Sequence, residues 1–378
     1  MDYKKKVKQQ LEDLKSDPEK KLVKVRMPHE RYKNIRPLRT FRNKLIIQVS
    51  RKLVPSHLKN WLLRRAGLKI GHDVCLPNDI LFDPCFPELI TIEEGALIGA
   101  PNRLYAHEFR ESELVLGSIN VGRRVLVGAF SYLGPGAAIA EKSILNFGSE
   151  LVDKSVPSGQ LWGGKPVSRW KEFGKEELEK YFREPDGNYK EYYREARKKI
   201  KAFQKDESIR FLKIPYNGKR LNAGDDWWRA RNVLRIWING AVVEFCRFLG
   251  PSWLKNMLYR MVGMKIGKNV KIGKGCVPDH IYPDTITLQD DVELGERCEI
   301  AGHEYTITQT VFGRVLIKKG AKLKEHVLVR TGTTVEEGAV VEPNSGISKE
   351  IPAHERWGGM PARFIEKIGE KKETEEAQ

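Results

Sequence analysis

The chain has 378 residues, 40% hydrophobic and 31% charged, with 33 Gly, a globular composition with enough length for two domains with cores of their own. It excludes collagen, low-complexity disorder and a membrane bundle, because no apolar stretch approaches the ~20 residues of a bilayer span. Of the net charge of +17, residues 1–65 supply +14, from 20 Lys and Arg against 6 Asp and Glu, and the remainder is nearly balanced.

Residues 1–69 read as a basic arm followed by capping helices. The opening MDYKKKVKQQ leads into no apolar signal-peptide centre, which predicts a cytoplasmic protein. The arm's charge suits a solvated helical face, or contact with a membrane surface, a polyanion or nucleic acid; peripheral membrane contact is the partner kept, and no nucleic acid is expected. Thr40 to Leu53 is apolar with interspersed basic residues, the pattern of a cap over an open core or of an interfacial helix.

From residue 70 to 170 the period is six. Val121, Val127, Leu133, Ile139, Leu145 and Leu151 follow one another at that interval, and earlier hexads start at Ile70, Leu76, Phe86, Ile92, Ile98 and Leu104. The fifth residue is usually small or β-branched, as in Val125, Ser131, Ala137, Ser143 and Ser149; the fourth is often Gly, Asn or Asp, as in Asp73, Gly95, Gly136 and Gly148. Those are the residues that accept a left-handed backbone at least cost. A short strand, a corner and one inward aliphatic side chain per hexad build a triangular coil, and about four stacked coils, each ~4.8 Å high, make a parallel β-helix. The phase breaks at Pro77 to Cys85 and at Glu108 to Asn120, where loops leave the scaffold and a site is best sought.

Residues 171–265 read as a charged helical connector, broken at Pro185-Asp186-Gly187, and a second capping segment. Residues 266–368 then repeat 70–170 at a displacement of 196: Pro251-Ser252 answers Pro55-Ser56, Lys265-Ile266-Gly267 answers Lys69-Ile70-Gly71, and His303-Glu304 answers His107-Glu108. The hexads restart at Ile266, Ile272, Tyr282, Leu288, Leu294 and Ile300 and run on through Ile317, Leu323, Val329, Val335, Val341 and Ile347, with corners at Asn269, Gly275, Gly332 and Asn344. Residues 369–378 are a charged tail. The fold class predicted is mainly β, two tandem left-handed parallel β-helices with helical N-terminal and connecting segments. Five Cys with no CxxC pair predict reduced thiols, Cys276 and Cys298 being small buried residues.

Of eight His, one pair coincides between the copies, His107 and His303, each followed by Glu and an aromatic residue. An imidazole at the mouth of an excursion suits general-base work. The structural alternative is a His that merely tolerates a left-handed corner. No further matched His is present for a zinc site and no matched nucleophile for covalent catalysis, so no metal is expected. Asp83 and Asp279 are equivalent and could orient the imidazoles, or could simply start Pro-containing turns. Glu108 and Glu304 should point to the opposite face of an extended chain.

The hexads V-G-R-R-V-L, V-G-A-F-S-Y and L-G-P-G-A-A, with the endings V-P-S-G-Q-L-W-G-G-K-P-V-S-R and I-P-A-H-E-R-W-G-G-M-P-A-R, resemble the hexapeptide-repeat acyltransferases, the Gly-Gly-x-Pro ending pointing to their acetyltransferase-like branch. The resemblance implies transfer of acetyl from acetyl-CoA to a hydroxyl of a sugar or envelope precursor. His107 and His303 would be the bases, and CoA would lie in a groove between prisms of a homotrimer. It nominates Gly163, Gly164 and Arg169, with Gly358, Gly359 and Arg363, as cofactor-binding residues. Lys318, Lys319, Lys322 and Lys324 depart from the family pattern and make that face of the second copy unusually basic. A non-catalytic β-helix scaffold is the competing reading.

Overall fold

The computed structural model describes residues 3–17, 20–27, 36–182, 189–215, 231–305 and 309–369. These fall into two compact units, 3–182 and 189–369. The Pro185-Asp186-Gly187 break and residues 370–378 of the tail lie outside the described residues.

In the first unit, three sheets of parallel strands form the faces of a prism. Ile70, Ile92, Val121, Ile139 and Val156 stack in register on one face; Ile98, Val127, Leu145 and Trp162 stack on the next; Phe82, Leu104, Leu133 and Leu151 stack on the third. Apart from half-buried Trp162, they are the core of the unit, and a single coil has no other way to bury them. Every corner singled out for a left-handed backbone has one, including Asp73, Gly95, Gly136 and Gly148 here and Asn269, Gly275, Gly332 and Asn344 in the second unit. There the equivalent faces are built from Ile266, Leu288, Ile317 and Val335, from Ile272, Leu294, Leu323 and Val341, and from Pro278, Ile300, Val329 and Ile347. All five cysteines are free, Cys276 and Cys298 being buried.

The phase of the first coil differs from the expectation that hexads start at Phe86 and Tyr282. The third inward position is Phe82, paired with Leu104, and Pro278, paired with Ile300. The excursion starts after it, because the Asp83 carboxylate accepts hydrogen bonds from the backbone N–H of Cys85 and Phe86 and folds the chain into a short 3-10 turn over Pro87–Leu89. Phe86 and Tyr282 are buried in that excursion.

The arm of the first unit is not a free basic extension. Helix α1 (Tyr3–Ser16) buries Val7, Leu11 and Leu14, and the strand Leu22–Arg26 buries Val23 and Val25 and pairs antiparallel with Glu113–Gly117. Its lysines occupy the outer face, as the period of an amphipathic helix requires. Helices α2 (Pro37–Lys52) and α3 (His57–Ala66) follow, and α4 (Lys175–Tyr181) comes after the last coil, with Phe173 and Phe182 buried at its ends. The segment expected to be a connector supplies the second unit with the same parts. Helix α5 (Tyr189–Lys205) buries Tyr193, Ala196, Ile200 and Phe203, and Phe211–Pro215 pairs antiparallel with Gln309–Gly313. Helices α6 (Val233–Cys246) and α7 (Trp253–Met261) match α2 and α3.

α3 and α7 close the open end of their prisms. A first coil has no coil before it, so its edge groups need other partners. Asn60 donates to the Val74 carbonyl at 2.9 Å, Arg64 to Ile70 and Gly71 at 2.8 Å each, and Lys59 to Leu53 and Pro77 at 3.1 and 2.6 Å. Asn256, Arg260 and Lys255 repeat the arrangement on Val270, Ile266 with Gly267, and Leu249 with Gly273. Burial holds the Lys59 amine down at about 7 and lowers Lys255; with two carbonyl acceptors, a neutral amine still uses both of its hydrogens.

The unfolded lysine ionises at about 10.4. Between pH 7 and that value the unfolded chain therefore holds more protons than the native one, and stability rises with pH. Lys59 should add a slope of up to about 1.4 kcal/mol per pH unit. Urea unfolding across pH 7 to 10 should show a shallower slope for Lys59→Met than for the unaltered chain, and equal slopes would contradict this.

Candidate active site

The second excursion of each unit is a hairpin that begins at the histidine. His107–Arg110 pairs antiparallel with Glu113–Gly117, and His303–Tyr305 pairs with Gln309–Gly313. Neither His107 nor His303 is among the residues with positive φ, whereas His326 and His354 are. The matched pair is therefore not explained by corner geometry.

Each imidazole meets the predicted aspartate. His107 Nδ1 lies 2.5 Å from Asp83 Oδ2, and His303 Nδ1 lies 2.5 Å from Asp279 Oδ2. Asp83 is fully buried and Asp279 nearly so, with both imidazoles mostly covered. The other carboxylate oxygen is held by backbone, Asp83 Oδ1 by Cys85 and Phe86 at 2.8 and 3.1 Å, and Asp279 Oδ1 by Ile281 and Tyr282 at 2.9 and 2.8 Å. Asp279 Oδ2 also accepts from Gly302 and His303 backbone N–H. Gly302 must be glycine for this approach, since a Cβ there would stand 2.1 Å from Thr285 Oγ1. Burial raises the Asp279 carboxyl, but the His303 charge, its hydrogen bond and the backbone donors outweigh burial and leave it well below the usual carboxylate range.

A carboxylate only accepts, so in the neutral imidazole Nδ1 carries the proton and Nε2 the lone pair. Phe86 stands edge-on to the His107 ring at 5.4 Å, and Tyr282 does so to His303 at 5.1 Å, with Phe312 stacked at 6.1 Å. The Tyr282 hydroxyl is buried with no partner among the described residues. Glu108 and Glu304 turn away as expected. Glu108 accepts from Tyr132 at 2.7 Å and from Arg110, while Glu304 is held by Arg330 and the Thr331 backbone N–H.

Sequence reasoning missed Cys85, which the turn at Asp83 folds back. Asp83, Cys85 and His107 have potential ligand atoms within 4.8 Å of one another, the one such group among the described residues. Burial, and then the Asp83 charge, push the thiol up to about 11, so it is neutral at pH 7. The second unit has Ile281 at that place, and the chemistry shared by the copies is the Asp–His pair alone.

The nominated glycines and arginines lie after the last coil. Gly163 and Gly358 end the strands Gln160–Gly163 and Glu355–Gly358; Gly164 and Gly359 take φ of 95° and turn the chain into the return strands Ser168–Glu172 and Arg363–Lys367. Arg169 and Arg363 are exposed on those strands, Arg169 donating to Glu172 at 3.3 Å. The hairpin extends one prism face, whereas His107 follows a strand of another. Trp162 and Trp357 pack on the last coils, and each indole N–H donates 2.8 Å to a side chain two residues back. Lys318, Lys322 and Lys324 face Glu336, Glu293 and Glu342 on stacked coils, which compensates the basic face.

The first unit has a cleft of about 560 Å³ lined by Leu81, Arg103, Tyr105, Tyr132, Glu150 and Lys165, of which the Tyr105 ring stands 6.4 Å from the His107 ring. At a displacement of 196, or of 195 for the last because Trp357-Gly358-Gly359 answers Trp162-Gly163-Gly164 one residue early, the second unit has Val277, Glu299, Ala301, Leu328, Gly346 and Met360.

No family model matches the chain. It is 31% identical over 137 residues to "Putative acetyltransferase YvoF" of Bacillus subtilis (strain 168), covering 36% of this chain and 79% of that protein. It is 27% identical over 127 residues to serine acetyltransferase of Salmonella typhimurium, covering 32% of this chain and 44% of that protein. Among solved structures, a galactoside acetyltransferase in complex with coenzyme A aligns with 18% identity and a TM-score of 0.34, over 44% of this chain and 92% of that chain.

With a depressed carboxyl, Asp279 contributes stability that is present above the unfolded value near 3.9 and is lost as pH falls through the folded one. Unfolding measured from pH 5 to pH 2 should therefore show a steeper loss for the unaltered chain than for Asp279→Asn. Parallel curves would mean that the carboxylate is not held in this way.

Proposed function

Because the chain belongs to the hexapeptide-repeat acetyltransferases, we propose that its units transfer acetyl from acetyl-CoA to a hydroxyl of a saccharide acceptor, with His107 and His303 as general bases. The observation that carries this reading is the same Asp–His pair, with the same 2.5 Å contact, in two units whose surroundings differ.

Nε2 takes the hydroxyl proton as the acceptor oxygen bonds to the acyl carbon, and the imidazolium returns that proton to the departing thiolate. Asp83 and Asp279 fix the tautomer and stabilise the imidazolium. Neither unit needs a nucleophile of its own. The return strands carrying Arg169 and Arg363 are the proposed contacts for the phosphates of CoA, with Gly163, Gly164, Gly358 and Gly359 allowing close approach of the backbone. The cleft of the first unit, with aromatic, basic and acidic side chains in reach of one ligand, has the lining of a saccharide subsite. A homotrimer would supply neighbouring prisms for the donor groove. The protein would work in the cytoplasm.

His107→Ala and His303→Ala, singly and together, should be assayed for acetyl-CoA consumption with a panel of sugars. Loss of a general base typically costs about 10²- to 10⁴-fold, so the double variant should fall in that range with KM for acetyl-CoA little changed. Undiminished turnover in the double variant removes the base assignment. Absence of CoA binding by calorimetry favours a scaffold.

A further inference from the structure

The caps have a second face that closing a prism does not use. In α2, opposite buried Asn43, Ile47 and Ser50, the residues Leu38, Phe41, Leu45 and Val49 are 85%, 72%, 60% and 49% exposed, and α3 adds Leu58 and Trp61. Their spacing of three and four residues makes one continuous stripe. Single exposed aliphatic residues are ordinary; stripes of large apolar and aromatic residues are not.

The stripe recurs in the second unit. Leu234, Trp237, Phe245 and Met257 stand at the positions of Leu38, Phe41, Val49 and Trp61, and each is exposed. Phe248, Trp253 and Met261 extend it, at 73%, 75% and 63% exposure. The helices that carry the stripes are basic, although Lys59 and Lys255 are buried and Arg39, Arg51 and Arg231 are paired with Glu88, Asp79 and Asp284. Residues 37–66 contain eight Lys and Arg and no Asp or Glu, and residues 231–262 contain five against the single Glu244, which Arg247 and His280 already engage. Arg42, Lys44, Lys52 and Arg65 are exposed beside the first stripe.

We propose that the outer face of each cap is an interfacial anchor for a membrane surface rich in anionic lipid. No helix among the described residues is long and apolar enough to cross a bilayer. Helices of this kind lie in the headgroup plane instead, with aromatic and aliphatic side chains inserted and basic side chains against anionic headgroups. Bare charge complementarity would need no exposed Phe and Trp, and pairing with a second copy about a twofold axis would set the exposed Arg42, Lys44, Lys52 and Arg65 against their own like charges. This inference is independent of the acetyl-transfer reading.

The test is co-sedimentation of the full chain with vesicles of phosphatidylcholine alone and of phosphatidylcholine with phosphatidylglycerol, at low and high salt. The chain should bind the mixed vesicles, and binding should weaken with salt. Phe41→Ser with Leu38→Ser, and Trp237→Ser with Phe248→Ser, should each lower partitioning on the order of tenfold. All four sites are exposed, so melting curves should be unchanged. Failure to bind the mixed vesicles, or undiminished binding by the combined variant, overturns the proposal. So does a wild-type oligomer, seen by light scattering, that these variants dissolve and the vesicles do not.

Discussion

Everything in this protein follows from one constraint, the hydrogen-bonded register of each coil on the one before it. Ile70, Ile92, Val121, Ile139 and Val156 can share a column only if every turn of the chain closes after the same number of corners. The left-handed corners and the small fifth residues are what that closure demands. Any extra chain must leave the prism as a loop, and the same requirement strands polar groups at the first coil, where Lys59, Asn60, Arg64 and their counterparts meet them.

The chemistry is placed by the excursions, not by the faces. The first brings Asp83 or Asp279 into the interior with its carboxylate already held by two backbone N–H groups, and the second starts with the histidine against that carboxylate. The surroundings have diverged around a constant pair. Cys85 and Phe86 stand where the other unit has Ile281 and Tyr282, and a polar cleft stands where the other has Ala301, Leu328 and Gly346. One orienting contact thus recurs in two differently lined surroundings.

The β-helices, their corners and both Asp–His pairs are legible in the sequence, because a six-residue period with an apolar first position has few geometric solutions and because the second copy filters chance from requirement. The limits are equally physical. Phe82 and Phe86 are both apolar and four apart, so periodicity cannot say which one is the inward position of the coil; the Asp83 turn decides. The strand Leu22–Arg26 and its counterpart Phe211–Pro215 join hairpins far along the chain, and they are displaced by 189 residues rather than 196, which hides them from a search at one spacing. For α2 and α6 the sequence leaves a cap and an interfacial helix both open, because both sides of these helices carry apolar residues and only the fold decides which side is covered.

The central claim is that each aspartate fixes its histidine with the proton on Nδ1 and the lone pair on Nε2. Nitrogen-15 NMR of the histidine side chains in the full chain tests it directly. The account predicts that the neutral forms of His107 and His303 are both Nδ1–H tautomers with a strongly downfield Nδ1 proton, lost in Asp83→Asn and Asp279→Asn respectively. Neutral Nε2–H tautomers at these two positions would contradict it.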